Sequence, residues 1–122
     1  MILADTSIWI DHLRRNNRVF AELLRANSIL CHPFVIGEVA LGHLAPRGVL
    51  VDLQDLPRCT MASDSEVLEL SERHSLYGRG IGYVDVHLLA SIRMRPGTAL
   101  WTLDKRLNRV AEHLGVAIGQ SN

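Results

Sequence analysis

Short apolar segments of strand length alternate with longer segments of helical periodicity along the whole 122-residue chain. Residues 2–4, 28–32, 57–61, 98–103 and 116–118 read as strands. Residues 7–15, 19–26, 33 to about 44, 49–56, 63–76, 83–94 and the segment from Asp104 to Gly115 read as helices. The punctuation agrees with the periodicity. Asn16-Asn17 breaks the first helix, Pro33 suits a first helical turn, and Ser63-Asp64-Ser65-Glu66 has capping-box spacing. Pro96-Gly97 and Gly115 mark helix ends, and residues 45–48 form a loop. Strands joined through helices cannot pair as hairpins, so the sheet must be parallel and covered on both faces. The connections are expected to be right-handed. The predicted class is therefore α/β, with three α/β/α layers around a central, mainly parallel, twisted sheet.

One such sheet uses the whole chain, so a single domain spanning 1–122 is expected. A chain of this size buries roughly two thirds of its unfolded surface and needs no disulfide or zinc staple. Thirteen basic and 13 acidic residues cancel, which excludes a uniformly basic nucleic-acid coat but not a local basic patch. Cys31 and Cys59 form no C-x-x-C pair and read as buried, reduced thiols. The N-terminus lacks a basic, then apolar, leader, and no apolar run approaches membrane-spanning length. A cytoplasmic protein without a membrane association is the expectation.

Open parallel sheets bind ligands at the carboxyl ends of their strands. Asp5 ends the first predicted strand, and Asp104 follows the strand over residues 98–103. Two further acids, Glu38 and Asp85, are embedded in apolar helical runs without a lysine or arginine inside either run. An acid so placed is expected to face the interior or a cleft and to need a partner there. Singly, each could cap a helix or meet a distant arginine. Together, four carboxylates suit a hard divalent cation such as Mg²⁺ or Mn²⁺.

These residues also carry a resemblance. Asp5-Thr6-Ser7 after an N-terminal strand, Gly37-Glu38 in the third helix, Asp85 followed by Leu88-Leu89-Ala90, and Thr102-Leu103-Asp104 after a strand resemble PIN-domain nucleases. Among these, the chain is most similar to the ribonuclease toxins of VapBC-type toxin–antitoxin modules, in order and spacing over its whole length. The resemblance implies a PIN-like α/β/α fold and a metal-dependent endoribonuclease. It assigns Asp5, Glu38, Asp85 and Asp104 as catalytic and metal-ligating acids for Mg²⁺ or Mn²⁺, with Thr6 and Thr102 in support. It further implies a structured RNA substrate such as transfer or ribosomal RNA, a VapB-type antitoxin and a homodimer. Several relatives carry a further acid two residues after the T-x-D aspartate; this chain has Arg106 there. The number of metal ions, and whether Asp85 or Asp104 orients the water, stay open.

Other features read more plainly. No pair among the six histidines has zinc-site spacing, and His87 reads as structural or surface. Ser7 has no base nearby in sequence and does not read as a nucleophile. Gly78, Gly80 and Gly82 read as a flexible connector, whose Arg79 is a candidate contact to RNA phosphate. Arg14, Arg15 and Arg18 read as a solvated corner. Trp9 and Phe20 are candidate anchors, in the core or for a partner segment. Two other functions compete. A receiver-like signalling domain would want paired acids after the first strand and a lysine after the last, which this chain lacks. A catalytically inactive PIN-like binding scaffold would have no need of four acids.

Overall fold

The computed structural model describes residues 1–42 and 47–119. Among them are three strands, β1 (Ile2–Ala4), β2 (Ile29–Leu30) and β3 (Ala99–Trp101). Seven helices accompany them: α1 (Thr6–Arg15), α2 (Arg18–Arg25), α3 (Pro33–Leu41), α4 (Arg47–Gln54), α5 (Asp64–His74), α6 (Tyr83–Arg93) and α7 (Lys105–His113). The sheet is parallel with order β2-β1-β3. Ile2 pairs with Ile29 and Ala99, and Leu3 with Leu30 and Leu100.

Successive strand residues point to opposite faces. Leu3 and Ala4, and likewise Ile29 and Leu30, are all fully buried, so both faces of the sheet are covered. Helix α6 is buried continuously from Val86 to Ile92. This is the expected layered α/β arrangement.

Local signals set the helix starts. Asn17 caps α2 by accepting the Phe20 amide, and His32 Nδ1 accepts the Phe34 amide ahead of Pro33. Ser63 and Glu66 close the expected capping box of α5. Both cysteines are buried and free, and burial pushes the Cys31 thiol up to about 11.

Three expectations change, and of the two places expected for Trp9 and Phe20 the core is the one taken. The strand expected over 57–61 contributes one parallel bridge, Arg58 to Cys31, because Pro57 brings a carbonyl but no donor to this edge. The strand expected over 116–118 is likewise one bridge, Ala117 to Leu100, confined between Gly115 and Gly119 at positive φ. The third helix ends at Leu41, and its expected extension to residue 44 runs beyond the described residues. Trp9 and Phe20 are not surface anchors: they are 4% and 0% exposed and pack edge to face at 4.7 Å.

Candidate active site

Parallel strands deliver their carboxyl ends to one edge, and two of the four acids begin there. Asp5 follows β1 and is buried; its amide donates to Trp101 O of β3 at 3.1 Å. Its Oδ1 caps α1, accepting the Ser7 amide at 3.0 Å and the Ile8 amide at 3.4 Å. Asp104 follows β3 and caps α7, with Oδ1 accepting the Arg106 and Leu107 amides at 2.9 and 3.2 Å. The carboxylates thus sit at helix N-termini, where backbone dipoles favour negative charge.

Hydroxyls sew these two corners together. Thr102 Oγ1 donates to Asp5 Oδ2 at 2.5 Å and accepts the Asp104 amide at 3.0 Å. Ser7 Oγ donates to Asp5 Oδ1 at 2.5 Å and accepts the Leu103 amide at 2.9 Å. Ser7 is thus a positioning residue that the sequence reading passed over after excluding it as a nucleophile. The signal was local: a serine two residues after a strand-end aspartate can bond back to it.

Helices bring the other two acids. Packing of α1 on α3 lets Thr6 Oγ1 donate to Glu38 Oε1 at 2.8 Å. Glu38 is exposed, contrary to the expectation from its apolar run, because it and Gly37 lie on the open face of α3. Asp85 is half-buried in the first turn of α6, with Oδ2 accepting the Gly82 amide at 3.0 Å. Burial raises the Asp85 carboxyl above the ordinary carboxylate range. The Gly82 amide opposes this, while repulsion from Asp104, Asp5 and Glu38 adds to it. Four elements therefore bring their carboxylates within electrostatic reach of one another.

Among the described residues, no three His, Cys, Asp or Glu side chains form a ready-made metal shell. The donor set nevertheless suits a hard cation. All four donors are carboxylates, they repel one another, and none forms an ion pair with lysine or arginine among the described residues. Oδ1 of Asp85, Oδ2 of Asp104 and Oε2 of Glu38 accept no hydrogen bond there.

The remaining candidates separate clearly. Arg79 is exposed, and the structure joins it to none of the four acids. Arg106 instead packs onto the glycine loop: a Cβ at Gly80, where φ is +79°, would meet its Cδ at 2.8 Å and Nη1 at 2.9 Å. The positive φ favours glycine here, while the flexible Arg106 side chain lies against its bare Cα. His87 is 2% exposed and packs against Phe34 and Tyr83, each at 4.8 Å, as a structural residue.

The PIN domain pattern matches residues 2–113. The chain is 45% identical over 121 residues to Ribonuclease VapC32 of Mycobacterium tuberculosis strain H37Rv, covering 98% of both chains. The protein of the same name from strain CDC 1551 / Oshkosh matches to the same extent. With a family pattern over nearly the whole chain and relatives this similar end to end, the chain belongs to the PIN-domain family, as a VapC-type member.

Proposed function

We propose that this chain is a metal-dependent endoribonuclease, the toxin of a type II toxin–antitoxin module. In this reading Asp5, Glu38, Asp85 and Asp104 hold Mg²⁺ or Mn²⁺. The observation that carries it is the hydrogen-bonded corner in which Thr102 joins Asp5 to the Asp104 amide and Thr6 of the next helix holds Glu38, with Asp85 near enough to feel all three charges. The name ribonuclease, borne by relatives aligned over 98% of the chain, supports the reaction class.

When bound, the ion supplies positive charge against the anionic phosphodiester and acidifies the attacking water. The chain's own residues hold the carboxylates in place. Thr102 and Ser7 fix Asp5, Thr6 fixes Glu38, the Gly82 amide fixes Asp85, and the first turn of α7 fixes Asp104. Fixed acceptors avoid reorganisation during the reaction. Hydrolysis forms a bond from water oxygen to phosphorus, breaks the bond to the 3′-oxygen, and leaves a proton on that oxygen.

The partners in this reading are a structured RNA such as transfer or ribosomal RNA, a VapB-type antitoxin, and a second copy of the chain. The place of action is the cytoplasm. No described helix is long and apolar enough to cross a membrane. An antitoxin segment finds complementary chemistry in a cavity of about 260 Å³ between α1, α2 and α4, lined by Trp9, His12, Leu24 and Leu53. Trp9 Nε1 and His12 Nδ1 are buried there without a hydrogen-bond partner among the described residues, and a bound segment could supply one.

Calorimetry tests the metal site. The parent should bind Mn²⁺, and Asp104→Asn should weaken binding at least tenfold. No Mn²⁺ binding by the folded parent would remove the basis of this reading.

A further inference from the structure

An acidic centre repels the polyanion it is meant to cut, so cations must hold the strand beside it. Three of the chain's 13 basic residues, including its sole lysine, fall in the five positions after Asp104: Lys105, Arg106 and Arg109. Helix α7 sorts its residues sharply. Leu107, Val110 and Ala111 are buried, while Lys105, Arg106 and Arg109 are exposed. None of the three forms an ion pair with an acid among the described residues.

They also point to different places. An open cavity of about 370 Å³ runs from Thr102 and Asp104 past Lys105, Asn108 and Arg109. Glu112 lies in the same cavity and accepts the Asn108 amide group at 3.0 Å. Arg106 leaves the helix towards the glycine loop and packs on Gly80, two residues before the Gly82 amide that holds Asp85. Asp104, the cap of α7, lines the first of these regions beside Lys105 and Arg109.

We infer that the exposed face of α7 is the track for the RNA backbone. Lys105 and Arg109 hold one phosphate flanking the scissile position, and Arg106, seated on Gly80, holds another. This inference rests on the ribonuclease reading and deepens it, by saying which cations deliver the strand to the acids. Charge complementarity and continuity with the acid site favour a nucleic-acid backbone over an acidic peptide. It moves the cationic role from Arg79 to α7.

The test is salt-dependent binding of fluorescently end-labelled bulk transfer RNA, in chelator so that no strand is cut. Each phosphate contact contributes about 0.7–0.9 to the slope of log affinity against log salt. The triple variant Lys105→Gln/Arg106→Gln/Arg109→Gln removes both phosphate contacts and should flatten the slope by about 1.4–1.8, and Arg106→Gln alone by about 0.7–0.9. Arg14→Gln/Arg15→Gln/Arg18→Gln removes the same charge at the far end of α1 and the start of α2, and should leave the slope unchanged. All substituted side chains are exposed, and melting curves confirm that each variant is folded. Equal flattening by both triples, or no flattening by the α7 triple, overturns the assignment and leaves the ribonuclease reading standing. Loss of binding to an acidic peptide without any change towards RNA also overturns it. A folded parent that binds no RNA at low salt sinks the ribonuclease reading together with this one.

Discussion

Asp5 serves folding, and in the proposed reaction chemistry as well, through the same carboxylate. It caps α1, accepts the hydroxyls of Ser7 and Thr102, and is the buried member of the acid set. Sequence position alone suggested either a cap or a ligand; the structure shows that the cap is real. Asp85 differs, because burial acts on it most and repulsion from its acidic neighbours adds to that. Its carboxyl is raised in the folded state, so the fold holds that proton more tightly than the unfolded chain does. The linked stability is present at low pH and lost as pH rises through the raised value. In chelator at pH 7, Asp85→Asn should therefore melt above the parent. The gap should close as pH falls towards about 4, near the ordinary aspartate value. Thermal melts across that range check this, and a variant that melts below the parent at pH 7 would contradict it.

At the scale of elements, α3 carries Glu38 and starts at an unusual cap. His32 is fully buried, accepts the Phe34 amide through Nδ1, and leaves Nε2 without a partner. Burial, with a contribution from His87, lowers it to about 4. An unfolded histidine titrates near 6.5, so stability is full above that value and falls as pH drops from about 6.5 towards 4. At pH 5 the loss is about 2 kcal/mol. His32→Asn keeps a capping acceptor without the titration, and its melting temperature should stay flatter than the parent's between pH 7 and 5. A parent with no acid-dependent loss in that interval contradicts the assignment. Much at this scale was legible in advance. The caps at Asp5, Ser63 and Asp104 and the break at Asn16-Asn17 are local chemistry, and each helix begins or ends within a few residues of its signal. The two edge strands were less legible. Residues 57–61 and 116–118 have strand-like composition, but Pro57 and the paired Gly115 and Gly119 limit each to one bridge. Exposure of Glu38 and burial of Phe20 depend on which helix packs on which, and neither run of sequence encodes that by itself.

At the scale of the molecule, the parallel sheet gathers distant residues at one edge. Hydrogen bonds there join Thr102 to Asp5 and Leu103 to Ser7, across more than ninety residues of chain. Asp5 and Asp104 were readable because each follows a strand, and Glu38 and Asp85 because each interrupts an apolar helical run. The Arg106–Gly80 contact was not, because it depends on how the loop before α6 meets α7. The proposed homodimer and antitoxin belong to this scale too. Light scattering should report a dimer, and a small protein encoded beside this gene should co-purify and occupy the cavity between α1, α2 and α4. A monomer at all concentrations with no such companion would contradict both.

The central claim is that four fixed carboxylates make the reaction centre, and Asp5→Asn tests it most directly. Asparagine caps a helix as well as aspartate does. Its amide group meets the Thr102 hydroxyl less well, at a cost of about 1 kcal/mol, offset in part by relief of repulsion among the acids. The measurement is RNA cleavage in Mn²⁺ against thermal melting in chelator, for Asp5→Asn beside the parent. The account predicts a melting curve close to the parent's and a cleavage rate lower by at least about 10²–10³. Cleavage at the parent's rate by folded Asp5→Asn would contradict the four-acid centre, and loss of cleavage only through unfolding would reduce Asp5 to a helix cap.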